Sequence, residues 1–152
     1  MNGLMWLIVV ILAAIAFYTD HRWMMIPNWL TVSAALTGLS VHAITDGWSG
    51  VKLSLIGCVG SLLLSSVIYI CRGFEAGDVK LFASFGAIGG LEFSFTGLVH
   101  SLVIAAAVGI VILFIRKLLH KKHVRGTRIE FPFMYAVLPG LILTYIITEV
   151  PL

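Results

Sequence analysis

Apolar residues in this chain come in long runs, broken at intervals by short polar, glycine or proline stretches. A bilayer core of ~30 Å takes about 20 helical residues, with roughly 17 to 25 as the working range. On that ruler six runs stand out: Gly3 to Thr19, Trp29 to Thr45, Val51 to Cys71, Val79 to Leu91, Gly97 to Ile115 and Phe131 to Val150. The fourth is the shortest, interrupted early by Gly86, Gly89, Gly90 and Glu92. Backbone groups in lipid must be satisfied internally, so runs of this length predict helices. The expectation is an all-α, polytopic membrane protein with about six transmembrane helices, forming one domain over residues 1–152.

Composition agrees with the pattern. Of 152 residues, 60% are hydrophobic and 11% charged, a wide departure from soluble domains, and no stretch remains for an independent aqueous core. The first run starts almost at Met1 without a basic leader region, and ends in Tyr18-Thr19-Asp20-His21-Arg22 rather than a small-residue cleavage site. It therefore reads as a retained helix. Two cysteines, Cys58 and Cys71, are too few for a disulfide framework or a four-Cys zinc site and read as packing residues.

Charge adds orientation. Nine of the ten Lys and Arg residues lie after the first, third and fifth runs: Arg22, then Arg72 and Lys80, then Arg116, Lys117, Lys121, Lys122, Arg125 and Arg128. Lys52 alone, with Asp46, lies between the second and third. The positive-inside rule makes the odd-numbered loops cytoplasmic and puts both termini outside. Trp23 and Trp29 then fall near the inner interface, Trp6 and Trp48 near the outer one. Basic residues placed between apolar runs, and not on a polar face with aromatics, argue against nucleic acid. The run Arg116 to Arg128 reads as a solvated topogenic loop, with anionic headgroups or an acidic partner as the other reading.

The acids carry the chemistry. Asp46, Glu92 and Glu149 belong to the outer side and Glu130 closes the basic loop, which leaves Asp20, Glu75 and Asp78 at cytoplasmic helix ends. An acid drawn into a membrane helix costs about 2.5 to 3.5 kcal/mol on insertion scales and defaults to a functional hypothesis; a lone interfacial aspartate that stays wet is the plain alternative. Asp20 and Asp78 come from different helices at the same depth, so packing can bring them face to face. At ~4 Å, with an effective dielectric of about 20, two such charges repel by roughly 4 kcal/mol. One then keeps a proton while the other ionises, the acid and base division of aspartic proteases.

At these residues the chain resembles the type IV prepilin peptidase family, membrane aspartic proteases of the GxGD type. The matching pieces are DHRWMMIPN (Asp20 to Asn28), AGDVKL (Ala76 to Leu81) and IEFPFMYA (Ile129 to Ala136). The resemblance implies that Asp20 and Asp78 are the catalytic pair. It implies removal of a short basic leader from a prepilin-like precursor, on the cytoplasmic side, just before the substrate's own hydrophobic helix. Two departures stand out. Glu75 replaces the first motif glycine, and the N-terminal segment and Cys-based zinc motif of the longer, methylating members are lacking, so the chain resembles short peptidase-only members serving tight-adherence pili. Cleavage without N-methyl transfer is expected, with no cofactor and no metal.

Around the pair, Gly77 allows close backbone approach, and Lys80 and Arg22 either counter the charge of the acids, position a substrate carboxylate, or simply orient the chain. Asn28, after Pro27, caps the second helix or bonds a substrate backbone. His42 and His100 read as satisfied histidines in the outer half, and His120 and His123 as a poor metal site. Gly86 and Gly90 form a GxxxG. Two other classes compete with the peptidase: a small proton-coupled transporter and a noncatalytic pilus-assembly factor of the same fold.

Overall fold

The computed structural model describes residues 3–23, 25–71, 74–118 and 133–149. They form four helices, α1 (Gly3–Trp23), α2 (Asn28–Ile70), α3 (Ala76–Leu118) and α4 (Met134–Glu149), with no strand among the described residues. Three stretches, Gly3–Trp23, Asn28–Ile70 and Ala76–Ile112, are long and apolar enough to cross a membrane, and Met134–Ile147 is a shorter apolar helix. The basic run with His120 and His123, Arg72, Glu130 and the first residues of the sixth apolar run lie outside the described residues or their described side chains.

Two helices contain more than one apolar run, which differs from the loops expected near residues 46–50 and 92–96. Each of α2 and α3 has 43 residues, about 65 Å if straight and twice a hydrocarbon core. Neither is straight. Gly47 (φ 59°, ψ −136°) and Gly90 (φ 83°, ψ 174°) break the helical dihedrals, in a region that only glycine enters without strain. Ser94 Oγ donates to the Phe82 carbonyl at 2.9 Å, although a straight helix would hold residues so spaced about 18 Å apart. Likewise, Gly38 and Gly57 lie on opposite sides of Gly47, yet both press against residues 86–88 of α3. So α2 and α3 each fold back on themselves, one glycine serving where a loop was expected.

The first arm of α3 is the centre of the molecule. Residues 81–88 are all buried, and Leu81, Phe82, Phe85 and Ile88 have no exposure at all. A helix enclosed all round needs small residues wherever a neighbouring backbone comes close, and this arm supplies Ala83, Ser84, Gly86 and Ala87. At Gly57 the α2 backbone lies directly on the Gly86 carbonyl and the Gly90 Cα, and at Gly86 the relation is reciprocal with Gly57. The GxxxG of Gly86 and Gly90 is thus one side of a glycine contact, with Gly57 as the other.

Folding back at Gly90 ends the first arm, and the last carbonyls of a helix lack intrahelical amides. Other side chains meet them: Ser54 Oγ donates to Ala87 at 2.7 Å, and His42 Nε2 bonds the Ile88 carbonyl at 2.9 Å. His42 is buried, with Asp46 Oδ2 3.5 Å from Nδ1, which makes no hydrogen bond among the described residues. His100 Nδ1 bonds Thr144 Oγ1 at 2.9 Å, tying α3 to α4. Both histidines are structural links. Trp6 packs edge-on against Phe93 and Tyr145. Cys58 is half-buried, whereas Cys71 is exposed at the end of α2.

A side chain at position 57 meets backbone that cannot move aside. Gly57→Leu is expected to cost at least about 1–3 kcal/mol from overpacking, seen as a lower melting midpoint in detergent. Gly109, with nothing within 4 Å of an added Cβ, is the control: Gly109→Ala should be neutral or stabilise by up to about 1 kcal/mol.

Candidate active site

Four helix ends meet at one end of the bundle. Asp20 lies in the last turn of α1, Asn28 opens α2, Asp78 is in the first turn of α3, and Met134 opens α4. Asp20 and Asp78 are both buried, with 8% and 4% exposure, and the charge of Asp20 acts on Asp78. The two acids that stood out in the sequence are therefore brought together.

Each carboxylate is held by a backbone amide at a helix start. The Met134 N–H donates to Asp20 Oδ2 at 3.2 Å, and the Glu75 N–H donates to Asp78 Oδ2 at 3.0 Å. Helix N-termini offer unpaired donors and the positive end of the dipole, so a buried acid finds there the partner its burial requires. Among the described residues, Oδ1 of neither aspartate accepts a hydrogen bond. Chemically, the arrangement is a pair of buried acids, each fixed through one oxygen by a backbone amide.

Glu75 has the N-cap position of α3. Its carbonyl accepts from the Asp78 and Val79 amides at 3.1 and 3.4 Å, while Asp78 reaches back to its amide, half of a capping box. The Glu75 side chain is exposed, and its charge also acts on Asp78. Gly77 lies under the α1–α2 connection: an added Cβ would stand 3.3 Å from Ile26 Cβ. Lys80 Nζ donates to Asn28 Oδ1 at 2.7 Å, so Asn28 ties α2 to α3 in place of capping its own helix, whose N-cap is Pro27 with no side-chain bond. Arg22 is exposed and turned onto its own helix, with Nη1 3.3 Å from Tyr18 Oη and the guanidinium 5.7 Å from the Trp23 ring centroid.

Aromatic rings buttress both aspartates. Phe74, next to Glu75, stacks on Phe82 and tilts against Phe133, which precedes Met134. The Phe133 carbonyl receives the amides of Ala136 and Val137, starting α4. Sequence reasoning did not single out the Met134 amide, His21 or Tyr135. The only signal pointing to α4 was the segment Ile129 to Ala136. No group of three or more His, Cys, Asp or Glu is arranged to hold a metal among the described residues.

A family model described as the type IV leader peptidase family matches residues 7–114. The chain belongs to that family. The match contains both aspartates, Asn28, Glu75, Gly77 and Lys80, while the α4 amide that holds Asp20 lies beyond it. No curated protein and no solved structure matches the chain. Membership indicates a peptidase acting on a protein substrate, and the long apolar helices agree with a membrane enzyme.

Lys80 and Asn28 are exposed, so their bond should add little to stability. A double-mutant cycle with Lys80→Met and Asn28→Ala is expected to give a coupling of about 0.2–1 kcal/mol, measured by detergent melting.

Proposed function

We propose that the protein is a membrane aspartic endopeptidase that removes the short basic leader of prepilin-like precursors at the cytoplasmic face of the inner membrane. The observation that carries this reading is the meeting of Asp20 and Asp78, buried and electrostatically coupled, at the end of the bundle where α1 stops and α2, α3 and α4 start. Nine of ten basic residues assigned to that side of the chain support the cytoplasmic placement. On this reading the described helices and folded arms make six crossings, with both termini outside.

In the reaction, the two aspartates share one proton. The ionised carboxylate takes a proton from water as the water oxygen attacks the peptide carbonyl carbon; the protonated one hydrogen-bonds, then protonates, the carbonyl oxygen. Collapse of the tetrahedral diol breaks the C–N bond: the aspartate that took water's proton gives it to the leaving nitrogen, and the other carboxylate takes back a hydroxyl proton, so the pair again shares one proton. The backbone amides of Met134 and Glu75 keep the two carboxylates from rotating through the cycle, which preserves the alignment that proximity catalysis needs. Gly77, Asn28 and Lys80 are the supporting residues: they keep the α1–α2 connection against the start of α3. Arg22 and the exposed Glu75 carboxylate lie at the mouth, where a substrate enters. The substrate is a protein with a basic leader followed by an apolar helix of about 20 residues, the length a bilayer requires. Cleavage without methyl transfer is part of the same reading.

Coexpression with a candidate prepilin tests the assignment. Asp20→Asn and Asp78→Asn should each reduce leader removal by ~10²-fold or more, read as retention of the unprocessed band, with the protein still in the membrane fraction. Processing that persists in either variant would falsify the paired-acid mechanism.

A further inference from the structure

Asp20 is held in place by an amide 114 residues away in sequence, and both partners lie in terminal turns of their helices. Terminal turns fray. One bond between two such ends is a weak way to keep a reacting group in register, and the residues next in line on each helix supply a second. Tyr135 Oη and His21 Nδ1 share a hydrogen bond of 3.0 Å. The Tyr135 ring also packs on Phe17, at 5.1 Å between centroids and 65° between planes, and Phe17 stacks parallel on His21, one turn apart on α1. The phenol ring is thus lodged against one face of the last two turns of α1, and its hydroxyl fixes which way it turns. Asp20 with His21 on α1, and Met134 with Tyr135 on α4, make two adjacent contacts between the same two helix ends.

We propose that the His21–Tyr135 pair is a positioning clamp that keeps Asp20 on the Met134 amide, and so keeps its carboxylate in register with the reacting peptide. The proposal rests on the peptidase reading above. Neither residue touches the reacting atoms. Their effect passes through the angle at which α1 meets α4, and a displacement of about 1 Å at a reacting group is enough to lower a rate as much as 10²-fold. The clamp acts on the chemical step and leaves substrate affinity alone.

The experiment uses the full chain in proteoliposomes, with a synthetic precursor carrying a basic leader and an apolar helix as the probe. Tyr135→Phe removes one oxygen and keeps the ring on Phe17. It should lower kcat roughly tenfold with KM and the detergent melting midpoint unchanged. The two amide replacements of His21 then separate a specific bond from bulk. Asn puts a hydrogen-bonding atom where Nδ1 is and should recover most of the rate, whereas Gln puts it where Nε2 is and should behave like Tyr135→Phe. Native kcat in Tyr135→Phe, a loss carried by KM, or equal rates for His21→Asn and His21→Gln overturns the clamp. Asp20→Asn is run alongside: activity surviving there sinks the peptidase reading itself, and inactivity there with an unaffected Tyr135→Phe sinks only the clamp.

Discussion

The closeness of α2 and α3 at Gly57 and Gly86 is the constraint on which the other features rest. In lipid, one apolar face gains nothing by leaving hydrocarbon for another apolar face, so helix association depends on close van der Waals contact and on hydrogen bonds. The chain meets both needs at one place. Glycine against glycine lets the backbones touch, and Ser54 and His42 from the two arms of α2 take the carbonyls of Ala87 and Ile88. Enclosing the first arm of α3 in this way fixes where its N-terminal turn lies. Asp78 therefore inherits its position from packing more than ten Å along the same helix, since residues 78 and 86 are about 12 Å apart at 1.5 Å per residue.

Two buried acids at the end of such a bundle pose an electrostatic difficulty that the helix ends themselves relieve. Burying an ionisable group is costly unless it is hydrogen-bonded, and a charge-assisted bond from an amide is among the stronger ones available. Asp78 uses the amide that precedes its own helix; Asp20, at the wrong end of α1 for that, borrows the first amide of α4. The consequence is an asymmetry. The Asp78 bond is local and comes with the helix cap, while the Asp20 bond exists only once α4 has docked. Assembly of the acid pair is for that reason coupled to completion of the fold, and the site cannot form in a chain that has inserted only its first helices.

Much of this was legible in the sequence, and what was missed has physical causes. Asp20 and Asp78 stood out because an acid next to an apolar run has few structural explanations. The ruler of about 20 residues located the apolar stretches, but it read Asp46 to Gly50 and Glu92 to Thr96 as loops. Hydropathy does not register that a single residue of positive φ reverses a chain without one. The fourth run looked weakest because Gly86, Gly89, Gly90 and Glu92 interrupt it, yet small residues such as Gly86 are what the most enclosed helix of a membrane bundle requires. The Met134 amide was invisible because every residue but proline carries one. His21 and Tyr135 lie within the segments Asp20 to Asn28 and Ile129 to Ala136, but nothing in a sequence marks two polar aromatic groups 114 positions apart as partners.

Glu75 shows how the two glycines of the motif differ. The structure asks three things of position 75: an amide for Asp78, a carbonyl for the Asp78 and Val79 amides, and room for whatever side chain is attached. The first two come from the backbone, and the exposed glutamate side chain shows that the third is met. Position 77 is tighter, because Ile26 Cβ stands 3.3 Å from where a Cβ would be, and an added side chain requires the α1–α2 connection to give by a few tenths of an ångström. Glutamate at position 75 thus leaves its backbone amide and carbonyl free to make these bonds and adds a charge beside Asp78. The constraint here is one of space at Gly77 and of backbone polarity at position 75, and only the former favours a residue without a side chain.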